Sequence, residues 1–127
     1  MKDRKILVTG AAGFIGNFTT DVLINLGADV VGFGRKRPEI KRYDIPFVEG
    51  DVTNQKALMP IIEDKKIDTI IHLAGFGTTF VQSNPELGVR VNIMGMSSVL
   101  EVARMAKLKV VFTSSIAVYG RIAPKEA

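Results

Sequence analysis

Val8-Thr9-Gly10-Ala11-Ala12-Gly13-Phe14-Ile15-Gly16 joins an apolar run to an amphipathic segment through three spaced glycines. Ahead of it, Lys5-Ile6-Leu7-Val8 ends in three consecutive apolar residues, the pattern of a strand buried on both faces of a parallel sheet. Beyond it, residues 14–26 read as a helix, with Phe14, Phe18, Val22, Leu23 and Leu26 on one stripe expected to face the core. Each glycine has its own task. Gly10 permits the tight turn, Gly13 lets a phosphate approach the backbone, and Gly16 lets the helix pack closely on the sheet. A diphosphate would then rest on free N–H groups of the first helical turn. A strand before and a helix after separate this pattern from a chance glycine cluster and point to dinucleotide binding.

The remaining chain alternates in the same way. Residues 28–33 (ADVVGF) form a second apolar strand, reached through Gly27 as a helix C-cap. Residues 38–43 read as a polar connection, and residues 45–49 (IPFVE) as a short third strand with Pro46 near its start. After a turn over residues 50–54, Thr53 or Asn54 can cap a helix running to about Lys65, with Pro60 in its interior or splitting it. Residues 67–74 (IDTIIHLA) are the fourth strand and its exit. A loop through Gly75, Gly77 and Ser83 leads to a long helix from Pro85 to about Ala106. Its expected buried face is Val89, Ile93, Met96, Leu100 and Ala103, with Gly95 allowing close approach to the sheet. Residues 108–112 (LKVVF) are the fifth strand. Such alternation predicts an α/β domain, a doubly wound parallel sheet between two helical layers.

Composition narrows the function classes. The 127 residues are 46% hydrophobic and 24% charged, ordinary values for one globular domain. No run approaches the ~18 apolar residues of a membrane span, and the start does not read as a signal peptide. With no cysteine, disulfide and thiolate chemistry are excluded; a cytoplasmic location is the expectation. One histidine and no cysteines cannot assemble a metal cluster. The net charge of +4 rests largely on Lys2/Arg4/Lys5 and Arg35/Lys36/Arg37/Lys41/Arg42. Neither group alternates with aromatic residues, so a nucleic-acid partner is not expected.

The motifs together resemble the extended short-chain dehydrogenase/reductase family, of the NAD-dependent epimerase/dehydratase type that acts on nucleotide sugars. The resemblance spans virtually the whole chain: TGAAGFIG at 9–16, FVEGDVTN at 47–54, IDTIIHLAG at 67–75, NIMG at 92–95 and FTSSIAVYG at 112–120. It implies a Rossmann-type fold and a dinucleotide cofactor. Gly10, Gly13, Phe14, Ile15 and Gly16 resemble the diphosphate turn. Asp51 and Val52 resemble the pair edging the adenine, although an Asp at this point is also a natural turn residue or cap. Leu73, Ala74 and Gly75 resemble the stretch beside the ribose and phosphates, with Gly77 just beyond. Asn92 resembles a helix asparagine near the cofactor, or is a residue bonding nearby backbone. His72 is expected to be a satisfied, half-buried imidazole, not a catalyst.

The sequence departs from the family at the end of the second strand. An acidic residue there would accept from the adenine-ribose hydroxyls of NAD; here Gly34 precedes Arg35-Lys36-Arg37. Loss of the carboxylate removes repulsion against a 2′-phosphate, and Arg35 offers a guanidinium fork. This favours NADP over NAD, while Gly34 does not forbid NAD.

The resemblance also implies a Tyr-x-x-x-Lys pair for proton transfer and a hydroxyl helper. Ser115 matches the helper, or is a plain turn hydroxyl. Tyr119 is followed at 123 by Ala, and Tyr43 at 47 by Phe, so neither tyrosine has its lysine. A phenol of pKa about 10 needs that cation to act as a base near neutral pH. The expectation is therefore the cofactor-binding, N-terminal portion of an epimerase, dehydratase or reductase, truncated after about five strands. Its nucleotide-sugar domain would be absent and the chain inert alone. Thr113-Ser114-Ser115 supplies no acid for elimination, which favours epimerase or reductase chemistry over dehydration. The alternative is a freestanding nucleotide-binding or assembly module. An open sheet edge would favour self-association.

Overall fold

The computed structural model describes residues 1–37 and 44–120, so the connection at 38–43, with Tyr43, Lys41 and Arg42, lies outside the described residues. Five parallel strands form one sheet in the order β3-β2-β1-β4-β5. They are β1 Lys5–Thr9, β2 Asp29–Gly34, β3 Phe47–Glu49, β4 Thr69–His72 and β5 Lys109–Phe112. Each expected strand is present, with its ends moved by one or two residues. The order reverses between β1 and β4, which places a crevice at their carboxyl ends.

Alternation along the strands fills both layers. Leu7, Val31 and Ile70 point to one face and pack with Leu58, Ile62, Val99 and Val102. Ile6, Val8 and Val30 point to the other and pack with Leu23 and Phe47. Helix α1, Phe14–Asn25, covers this second face. Helices α2, Gln55–Lys65, and α5, Gly95–Ala106, cover the first. Gly27, at φ +80°, ends α1 with N–H bonds from Gly27 to Ile24 O and from Ala28 to Leu23 O, as a Schellman cap does.

The expected buried stripes are both corrected. On α1 the sheet side is Gly16, Thr20 and Leu23, while Phe14, Phe18, Val22 and Leu26 are exposed. The helix is apolar on two sides, and its smaller residues sit against the sheet because they permit closer approach. The long helix is also buried on another face. It begins as α4, Pro85–Gly88, widens into a π-helical segment over Val89–Met94, and resumes as α5. The buried residues are Gly88, Val91, Gly95, Ser98, Val99, Val102 and Ala103, which keep a regular 3- and 4-residue spacing on a different face from the one expected. Val89, Ile93 and Leu100 face out, and only Ala103 of the expected face is fully buried.

Two smaller expectations change, at the supposed loop and at Gly95, while one of the two proposed caps and the interior placing of Pro60 are met. A short helix, α3 Thr78–Ser83, occupies the supposed loop. Asn54 caps α2 by accepting from Lys56 N–H at 3.1 Å, whereas Thr53 bonds to Asp51. Pro60 stays inside an unbroken α2. The Gly95 Cα lies against Val52, not the sheet: a Cβ there would fall 2.7 Å from Val52 Cγ1.

Candidate functional site

A cleft with a volume of about 540 Å³ lies at the carboxyl ends of the central strands. Its floor is the β1–α1 turn. Gly10 sits at φ +72°, where a Cβ would come within 2.7 Å of Ala74 N. Gly13 donates its N–H to Gly10 O at 2.9 Å and forms the α1 N-cap in extended backbone. The backbone is thus bare toward the cleft at both positions, which suits close approach by a diphosphate. Gly16 does not line the cleft. A Cβ there would lie 2.1 Å from Gly10 O and 2.8 Å from Ala11 Cα, so its close contact on the sheet side of α1 is with the turn that leaves β1.

Of the residues singled out from sequence, Gly10, Gly13, Gly34, Arg35, Asp51, Val52, Leu73, Ala74 and Gly75 come together around this cleft. Phe14 and Ile15 project outward from the first turn of α1 and do not line the cleft. Gly77 caps α3, and a Cβ there would meet nothing within 4 Å. Asn92 stands behind the wall instead of in it. Its Oδ1 accepts from Phe76 N–H at 2.8 Å and its Nδ2 donates to Phe76 O at 3.0 Å, clamping the β4 exit loop. Ser115 Oγ accepts from Ala117 N–H at 3.2 Å and caps the short 3₁₀ turn Ile116–Tyr119, exposed and apart from the cleft.

Asp51 has one oxygen committed and one available. Oδ1 accepts from the Thr53 N–H at 2.9 Å and the Thr53 hydroxyl at 2.8 Å; Oδ2 lies 3.9 Å from Arg90. The Thr53 backbone bond leads in holding this carboxyl below its usual range, helped by the Thr53 hydroxyl, Arg90 and Arg35 against the opposing effect of burial. Asp51 is therefore a turn-forming carboxylate that still presents an acceptor.

The basic run divides its work. Arg35 and Lys36 line the cleft, whereas Arg37 turns away to donate to Phe47 O at 3.1 Å and lies over the Phe47 ring. His72 is buried, not half-buried, and shares a hydrogen bond of 2.7 Å with Thr9 Oγ1. It lies within the sheet and does not line the cleft.

Sequence reasoning missed Phe76. This aromatic follows the Ala74-Gly75 exit of β4, stacks on Phe80 at a centroid separation of 4.1 Å, and lines the cleft. Its position directly after the small residues was the available signal. Phe33, Gly50 and Val91 also contribute to the wall. Among the described residues no group of three His, Asp or Glu side chains could hold a metal ion, and no helix is long and apolar enough to cross a membrane.

Comparison with known proteins matches residues 6–127 to the NAD-dependent epimerase/dehydratase family. A UDP-glucose 4-epimerase of Neisseria meningitidis serogroup C is 34% identical over 92% of this chain, which spans 38% of that protein. The structure of a monomeric L-threonine 3-dehydrogenase from a metagenome is 34% identical with a TM-score of 0.86, over 95% of this chain and 39% of that one. The structure of Brucella ovis UDP-glucose 4-epimerase in complex with NAD is 29% identical, also at a TM-score of 0.86, over 96% of this chain and 39% of that one. The chain thus spans about two-fifths of the length of these relatives.

Proposed function

Because this chain belongs to the NAD-dependent epimerase/dehydratase family, we propose that it is the dinucleotide-binding portion of a hydride-transferring enzyme acting on a nucleotide sugar. The single observation carrying this reading is the cleft at the strand-order reversal, floored by the bare Gly10–Gly13 turn and walled by Asp51 and residues 73–75. The turn would hold the diphosphate. Asp51 Oδ2 would accept from the adenine amino group, and the small residues Ala74 and Gly75 leave room for ribose and phosphate. A bound nicotinamide would accept and return the hydride.

Arg35 and Lys36 at the cleft, without an acidic residue at Gly34, support NADP as the preferred dinucleotide. Ser115 is retained as the candidate helper hydroxyl, its present bond to Ala117 N–H leaving its own proton free to donate. Lacking Tyr-x-x-x-Lys, the 127 residues alone would bind without turnover. A second reading, a dehydrogenase of a small hydroxy substrate, is favoured by the equally good fit to the L-threonine 3-dehydrogenase structure. Both share the cofactor cleft and differ in the substrate.

Calorimetric titration of the 127-residue chain with NAD and NADP tests the proposal. Saturable binding, tighter for NADP, is the expected result; heat of neither ligand above dilution would overturn it.

A further inference from the structure

Arg35 and Phe76 stand at the ends of different strands. Arg35 follows Gly34 at the end of β2, and Phe76 follows Gly75 beyond β4. These strands flank β1 on either side, so the two residues rise from opposite banks of the cleft above the Gly10–Gly13 turn. They nevertheless meet: Arg35 Cζ lies 5.1 Å from the Phe76 ring centroid.

Phe76 is a fixed partner. Its backbone N–H and carbonyl are both held by the Asn92 amide, and its ring is stacked on Phe80. A guanidinium resting on such a ring engages it through its face. The N–H donors lie in the guanidinium plane and stay free for an anion. The ring therefore restricts the long arginine side chain without consuming its hydrogen bonds, and the ordering cost of that side chain is met before ligand arrives. Phe76 offers a ligand no hydrogen bond of its own.

Resting on the dinucleotide reading above, we infer that Phe76 is a specificity-determining residue, holding Arg35 over the cleft so that the guanidinium edge recognises the 2′-phosphate of NADP. The role is one of positioning, because Phe76 acts on the phosphate only through Arg35. Phe76→Leu keeps apolar volume in the wall and removes the ring; Phe76→Tyr keeps the ring. Arg35→Ala removes the cation, and the double variant closes a cycle.

The test is calorimetric binding of NADP and NAD to the 127-residue chain and these variants. Expected is a preference for NADP that falls about 2- to 5-fold in Phe76→Leu, the range of an exposed cation–π contact. NAD affinity should change less, Phe76→Tyr should retain the preference, and Phe76→Leu should have no further effect on preference once Arg35 is Ala. A preference unchanged in Phe76→Leu overturns the inference and leaves the dinucleotide reading standing. So does equal binding of both cofactors by the unaltered chain. Binding of neither cofactor overturns both.

Discussion

Thr9 Oγ1 and His72 Nδ1 lie 2.7 Å apart across the β1–β4 ladder, paired in register and both buried. Burial pushes the imidazole pKa below its ordinary value, so the ring is neutral and Nδ1 needs one partner. Thr9→Val keeps the shape and deletes that partner. A buried polar atom left alone costs about 1–3 kcal/mol, and the urea midpoint should fall accordingly with an unchanged slope. Thr9→Ser, which keeps the hydroxyl and loses a methyl, should cost about 1 kcal/mol. Equal losses for Val and Ser would show that packing, not the hydrogen bond, matters at this pair.

The same imidazole gives the fold a pH dependence. Its folded pKa is depressed, so below about pH 6.5 the unfolded chain takes up a proton that the folded chain refuses. The stabilisation is complete above the unfolded pKa and is lost as pH falls toward the folded one. Carboxylates with lowered pKa, Asp51 and Asp68, contribute in a window below about pH 4. His72 is the chain's sole histidine, so a decline in stability as pH falls below about 6.5, before the carboxylate window is reached, is assigned to it. Chemical denaturation across this range should show that decline, and His72→Gln should flatten it. A slope surviving in His72→Gln would place the titrating group elsewhere.

Thr20 presents the opposite situation. Its hydroxyl is buried beneath α1 without a hydrogen-bond partner among the described residues. Thr20→Val is nearly isosteric and removes the unsatisfied oxygen, with little change in helix propensity. The variant should gain about 1 kcal/mol. A loss of stability would mean that the hydroxyl has a partner, such as a buried water.

These pairs show what the sequence carried and what it did not. The five strands were legible because each is a short apolar run closed by glycine or polar residues, and the cleft's floor was legible because Gly10 and Gly13 lie close together in the chain. The buried face of α1 was not, since Phe14, Phe18 and Val22 form as good a stripe as Gly16, Thr20 and Leu23 and only the packing decides between them. In the long helix the same holds: Val89, Ile93 and Leu100 compete with Val91, Val99 and Val102, and only packing decides between the stripes. The contact of Arg35 with Phe76 was hidden for another reason: 40 residues separate them in the chain, and the parallel sheet alone brings their strand ends together.

Gly16, in the β1–α1 motif, and Gly77, just beyond the β4 motif, make contrasting demands. At Gly16 an added methyl would fall 2.1 Å from Gly10 O and against the Ala11 backbone. Neither neighbour is a flexible side-chain end, so the helix or the turn must move. Gly16→Ala should cost at least ~2 kcal/mol, at the upper part of the overpacking range, and should abolish dinucleotide binding by displacing the turn. At Gly77 a methyl would meet open space, and its φ of −73° is open to any residue. There the reduced entropy of the unfolded chain offsets the slightly poorer N-cap. Gly77→Ala should leave stability within about 0.5 kcal/mol and binding unchanged. Thermal melts and the same calorimetric titration decide both. Tolerance at Gly16, or lost binding at Gly77, would exchange their roles and move the diphosphate site from the β1 turn to the β4 exit.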